Sequence, residues 1–118
     1  MQELVHVFNR EELICIVHVD YSEQSIYIEN LIPLDSPEWF CLPFGRNTQP
    51  TWQDYNYYLS TRCFPSDRTN KKELLKSWGL DEYDPDKIVR KTHGVMNDDF
   101  VWLRFEDENI TFDKVRMR

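Results

Sequence analysis

At 118 residues and 14.4 kDa, the chain is expected to form one domain spanning 1–118. Hydrophobic residues make up 41% and aromatics 14%, enough for a real core despite a mean hydropathy of -0.65, and three glycines argue against a loop-rich or low-complexity chain. With 21 acidic against 14 basic residues and a formal net charge of -7, composition argues against direct binding to DNA or RNA and favours a protein partner with a basic surface, such as a nucleic-acid-handling enzyme or a basic toxin.

The opening stretch MQELVHVFNREEL has neither the basic start nor the apolar run of a signal peptide, and no segment reaches the length of apolar residues needed to span a bilayer. A cytoplasmic protein without membrane contact is the expectation. LVHVFN and ELICIVHVD carry the β-branched and aromatic residues of strands, with Asn9-Arg10 as the hairpin turn between them. In the second strand Leu13, Cys15, Val17 and Val19 share one face and Ile14, Ile16 and His18 the other. Both faces are apolar enough for a central position in a sheet. QSIYIENL follows the polar DYSE and completes a three-stranded meander. PLDSPEWFCLPFG, broken by prolines and rich in rings, reads as an irregular connection packed on that sheet.

The middle is helical. Thr51 with Asp54 three residues on forms a helix start, and Trp52, Tyr55 and Leu59 fall on one face before Pro65 ends the run. A second helix begins near Thr69 or Asn70, buries Leu74, Leu75 and Trp78, and stops at Gly79, where a left-handed cap needs no Cβ. Asp84-Pro85 opens a third through Ile88 and Val89 towards Gly94. FVWLRFEDENITFDKVRM reads as a β-hairpin turning around Glu106 to Asn109. The fold class is α+β: a small single domain with an N-terminal antiparallel meander, two to three short central helices and a C-terminal hairpin.

Cys15, Cys41 and Cys63 are odd in number and form no CxxC pair. With His6, His18 and His93 they complete no regular zinc spacing, so free thiols and no metal are expected. No nucleotide-binding or nucleophile motif occurs, and no cofactor is expected.

Four groups of residues carry chemistry. His93 with Asp98 and Asp99 is the sharpest candidate for catalysis. No recognisable motif places further ligands beside it, and aspartates before a strand ordinarily bond nearby backbone amides, so the structural reading leads. Arg62 and Arg68 flank Pro65 and could grip a phosphate or carboxylate; the simpler reading is an intramolecular pair with Asp or Glu that sets an interhelix angle. Trp39, Phe40 and Phe44, then Trp52, Tyr55, Tyr57 and Tyr58, form a dense aromatic patch. Helical spacing forbids Tyr57 from sharing a face with Tyr55 and Leu59, so some rings pack outward, as core for the irregular segment or as anchors for a partner. Asp81, Glu82, Asp84, Asp86, Glu106, Asp107, Glu108 and Asp113 are solvated surface unless gathered into one stripe, where they would imitate a phosphate track.

Over roughly residues 55–105, an ordered set resembles the N-terminal accessory region that precedes the kinase domain in HipA-like serine/threonine kinase proteins of Firmicutes. The set is Leu59, then Arg62, Pro65 and Arg68 in RCFPSDR, then Gly79-Leu80, then Gly94, Asp99 and Trp102 in GVMNDDFVW. His93 departs from the pattern, which has lysine there. The resemblance is to the non-catalytic portion, so phosphotransfer does not carry over; it implies a non-enzymatic accessory or antitoxin-like subunit acting on such a kinase. The candidate partner-binding residues are then Trp39, Phe44, Tyr57, Tyr58, Arg62, Arg68 and Asp98. Pro65, Gly79, Gly94, Asp99 and Trp102 serve as structural marks. The alternative is a small acidic phage-encoded inhibitor of a bacterial defence nuclease, of the anti-CRISPR type, acting as a nucleic-acid mimic.

Overall fold

β-Branched and aromatic side chains build the first three strands, and one irregularity decides which of them face the core. The structure, a computed structural model, describes residues 2–33, 35–63, 70–96 and 100–105. Strands β1 (Gln2–Asn9), β2 (Glu12–Asp20) and β3 (Ser25–Asn30) form an antiparallel meander. Strand β4 (Val101–Arg104) returns to pair antiparallel with β1, giving the sheet order β3-β2-β1-β4. β2 therefore lies inside the sheet, as its two apolar faces predict. The first hairpin turns on Arg10-Glu11, one residue later than expected: Asn9 still pairs with Glu12, and Arg10 takes a φ of 58°. The second turn is held by Asp20, whose Oδ1 accepts from the Ser22 and Glu23 amides at 3.0 and 3.1 Å.

Opposite Val7 and Phe8 the register jumps from Cys15 to Leu13, leaving Ile14 as an extra residue on β2. This bulge corrects the expected assignment of faces. Ile14 and Cys15, neighbours that strict alternation would separate, are both fully buried in the main core with Val5, Val7, Val17 and Val19. Leu13 is turned to the opposite side, where it packs with Val95 against Phe8 and Trp102. Those two rings stack at 4.5 Å, and the Trp102 indole donates to the Arg10 carbonyl at 2.6 Å, which seals the far face of the β1–β4 pair. Trp102 is thus the buried strand aromatic that the sequence implies.

The helices lie on the other face. α1 (Trp52–Thr61) starts with a complete capping box: Thr51 Oγ1 accepts from the Asp54 amide at 3.2 Å and Asp54 Oδ2 from the Thr51 amide at 2.9 Å. It buries Tyr55 and Leu59. α2 (Lys71–Ser77) ends in a left-handed Gly79, with the Leu80 amide bonded to the Leu75 carbonyl at 2.8 Å and the Gly79 amide to Lys76 at 3.0 Å; this is a Schellman cap, as the glycine predicts. Of its expected apolar residues, Leu75 is fully buried, while Leu74 and Trp78 are half-buried. α3 (Pro85–Thr92) begins on Asp84, whose side chain accepts from the Asp86 amide, and buries Ile88 and Val89. The irregular connection contains one 3-10 turn, Trp39–Cys41. Pro65 and the hairpin turn expected at Glu106–Asn109 lie outside the described residues. No helix among the described residues is long and apolar enough to cross a membrane.

α3 stops differently from expectation. Gly94 is not its first left-handed residue: His93, 3% exposed, takes φ 58° at the cap and Gly94 follows at 66°. The reversal aims the His93 carbonyl at β4, where it accepts from the Leu103 amide at 2.8 Å. Here a glycine is required twice over, because an added Cβ at Gly94 would sit 3.3 Å from Arg62 Cβ and 3.4 Å from Leu103, on top of its positive φ. Gly79, at φ 74°, has open space instead. Gly79→Ala should therefore cost about 1 kcal/mol and Gly94→Ala about 2 kcal/mol or more, read as the shift in urea midpoint. Equal losses would show that the close approach at Gly94 contributes nothing.

Candidate protein-docking groove

α1 carries two kinds of ring. Tyr55 points into the core, 1% exposed, whereas Tyr57, two positions on, stands 73% exposed. Tyr58 lies half-buried between them and meets Phe44 at 5.7 Å. The loop before the helix thus supplies one wall and α1 the other. Pro43, Phe44, Asn47, Asp54, Tyr57, Tyr58 and Thr61 line an open groove of about 300 Å³. Asp54 is fixed there by its capping bonds, with Asn47 Nδ2 3.5 Å away. A carboxylate beside tyrosine and phenylalanine faces suits a lysine or arginine side chain, which the charge attracts and the rings stack upon. Trp39 is half-buried on the same connection and has its own cation, the Arg46 guanidinium, 4.2 Å above its ring.

Of the predicted partner-binding residues, the structure brings Phe44, Tyr57 and Tyr58 together and leaves Trp39 on the preceding turn. It removes Arg62 from any docking surface. Arg62 is 8% exposed; its Nε donates to the Gly94 carbonyl at 2.8 Å and its Nη2 to the Val101 carbonyl at 2.7 Å. A guanidinium at that depth holds the fold rather than a ligand. Arg68, Asp98 and Asp99 lie outside the described residues, so the grouping of His93 with the two aspartates does too. His93 itself is a buried helix cap.

A second polar group was missed entirely. Arg90 on α3 grips Glu3 on β1 with two nitrogens, at 3.0 and 2.5 Å, donates to Tyr21 Oη at 2.7 Å, and reaches Asp86 one turn back at 3.3 Å. Its Cζ lies 4.5 Å from the Phe105 ring centre. Tyr21 in turn donates to Glu3 at 2.9 Å. Burial works to raise the Glu3 pKa, but the hydrogen bonds from Arg90 and Tyr21 and the Arg90 charge outweigh it, and the carboxyl titrates below its usual value. Asp86 is shifted the other way: burial dominates and raises it despite Arg90. The cluster clasps α3 to the meander. Its partners are far apart in the chain, so no local spacing announces it.

The remaining chemistry is quiet. Among the described residues no three His, Cys, Asp or Glu side chains converge in a way that could hold a metal ion. Burial pushes the Cys15 and Cys63 thiols up to about 12, with the negative charges of Glu29 and Asp84 adding to each in turn, so neither is a nucleophile at neutral pH. Cys41 is half-buried. A smaller hollow of about 140 Å³, on the strands, is bordered by His18 and Tyr27, whose rings stack at 4.0 Å.

Two outcomes follow from this chemistry. A thiol reagent at neutral pH should label Cys41 alone in the native protein and all three cysteines in denaturant; fast labelling of Cys63 would contradict the packing of α1 on α3. Because the folded pKa of Glu3 is lowered from 4.5, its stabilisation is present above that value and lost as pH falls through the folded pKa. The stability gap between wild type and Glu3→Gln, measured by urea unfolding, should be widest near neutral pH and close as pH drops below about 4. A gap independent of pH would rule out the Arg90 clasp as its source.

No family model, curated protein or solved structure matches the chain.

Proposed function

We propose that this chain is a non-catalytic, protein-binding regulator that docks its partner in the α1 groove. The observation that carries the reading is Tyr57, 73% exposed beside half-buried Phe44 and Tyr58 and the fixed carboxylate of Asp54. Rigid aromatic rings around a charged group are what binding hot spots are made of, and a tyrosine held this far into water has no part in the core. The net charge of -7 draws in a basic partner from a distance, and Asp54 with the rings receives one of its cationic side chains.

The specific partner proposed is a HipA-like kinase, on the strength of the resemblance over residues 55–105. The chain then acts as an accessory or antitoxin-like subunit. Two members of that resembling set, Arg62 and Gly94, bond to each other and serve the fold, so the resemblance supports a common framework, while the groove supplies the contact. The nucleic-acid-mimic reading gains nothing comparable: Asp84 caps α3 and Asp86 pairs with Arg90, so two members of the 81–86 acidic run are engaged within the molecule.

Co-purification with a HipA-like kinase, followed by measurement of its phosphorylation rate, tests the proposal. Binding should weaken about 30-fold in Tyr57→Ala and in Phe44→Ala, as loss of a hot spot of about 2 kcal/mol requires, with the far-ultraviolet circular dichroism unchanged. Absence of any complex rejects the kinase, and binding indifferent to both substitutions rejects the groove.

A further inference from the structure

The net charge is not spread over the chain. Of the 21 acidic residues seven lie between positions 11 and 45, and none of the 14 basic residues does. The 14 acids and 14 bases that remain cancel, so the whole charge of -7 belongs to β2, β3 and the stretches that flank them. Its placement surrounds β3. Asp20 and Glu23 stand at the strand's start, and Glu29 projects from it with its side chain 50% exposed. Glu11 and Glu12 lie just past its end, where Leu31 meets Ile14.

β3 is also an open edge of the sheet. On β4 the outward groups are engaged: the Leu103 amide by the His93 carbonyl and the Val101 carbonyl by Arg62. On β3 the Leu31 amide bonds to the Ile14 carbonyl at 2.9 Å, so antiparallel alternation makes Glu29–Ile16, Tyr27–His18 and Ser25–Asp20 the other bonded pairs. The amides and carbonyls of Ile26, Ile28 and Asn30 therefore point away from the sheet, and no main-chain bond among the described residues reaches them. The strand, SIYIEN, has no proline, lysine or bulge to turn another strand away.

We propose that this edge receives an extended segment of another protein, rich in lysine or arginine, which adds to the sheet as a further strand. Two properties identify the occupant. Donors and acceptors at the spacing of a strand are answered in full only by another extended main chain. A run of carboxylates with no lysine or arginine among them draws in a basic segment, whereas nucleic acid or a second copy of this chain is repelled. The pleat then fixes the pattern of the segment. Its residues opposite Tyr27 and Glu29 lie on the outer face, where Tyr27 is 61% exposed and its ring stacks on His18. A lysine or arginine there lays its stem over the ring and its charge beside Glu29. Residues opposite Ile26 and Ile28 lie on the core side, where both isoleucines are half-buried, and are apolar. The segment therefore alternates basic and apolar side chains. This contact is separate from the α1 groove and does not rest on the reading given for it.

The probe is an acetylated and amidated peptide of about seven residues that alternates lysine and valine. Titrated into the isotope-labelled full chain at low salt, it should shift the amide resonances of Ile26, Ile28 and Asn30 and slow their exchange with solvent. The Tyr27 and Glu29 amides, already bonded to β2, should keep their exchange rates. Affinity should fall as salt is raised, and fall about tenfold in Glu29→Lys, where an opposite charge becomes a like one. N-methylation of the peptide's valines removes the donors along one of its edges, and of its lysines those along the other, with the charge unchanged. One of the two should abolish binding. Binding that survives both comes from charge alone and overturns the proposal. So do resonance shifts confined to Phe44 and Tyr57, which assign the peptide to the groove, or the absence of binding at about 1 mM peptide.

Discussion

Arg62 joins three parts of the molecule that lie far apart in the sequence. It stands at the C-cap of α1, and its guanidinium reaches the Gly94 carbonyl at the end of α3 and the Val101 carbonyl on β4. A buried cation is tolerated only when its donors are answered, and buried carbonyls are tolerated only when something donates to them. The Nε and Nη2 donors of Arg62 and the Gly94 and Val101 carbonyls answer one another. Their meeting also explains the glycine: with Arg62 Cβ so close, the chain can turn from α3 into β4 only where no side chain intervenes. The left-handed turn at His93 and Gly94, the start of β4 and the C-terminal end of α1 all meet at that one side chain.

Much of the fold was legible because it follows local rules. Strand alternation marks the meander, Thr51 with Asp54 marks the start of α1, Gly79 the end of α2, and Asp84-Pro85 the start of α3; each rests on residues a few positions apart. The failures share a different cause. Ile14 changes sides because one residue is inserted into the ladder, and a period-two pattern has no letter for an insertion. Arg62 reads as a grip on an anion or as the partner of an Asp or Glu, because the Gly94 and Val101 carbonyls it binds belong to the backbone and leave no trace in composition. Glu3 and Arg90 are 87 positions apart, so only the folded sheet brings them within reach.

The candidate groove was half legible. Helical geometry alone separates Tyr57 from Tyr55 and predicts that one of them leaves the core, and it does. What spacing could not supply was the opposite wall, because Pro43 and Phe44 belong to an irregular connection whose path depends on packing against the sheet. Trp39, as aromatic as the others, sits apart under Arg46. Ring content indicates where a binding surface can form; the loop decides which rings take part.

The order of the strands has a consequence for how the chain is made. β1, β2 and β3 are consecutive, so the meander can close as soon as they leave the ribosome. β4 pairs His6 with Arg104 and Phe8 with Trp102, and must wait until the whole helical middle has been translated. At about 5–20 residues per second that wait lasts several seconds. Throughout it the outer edge of β1 is open and Phe8 lacks the ring that covers it. The pace of synthesis through the helices therefore sets how long that edge and that ring stay uncovered.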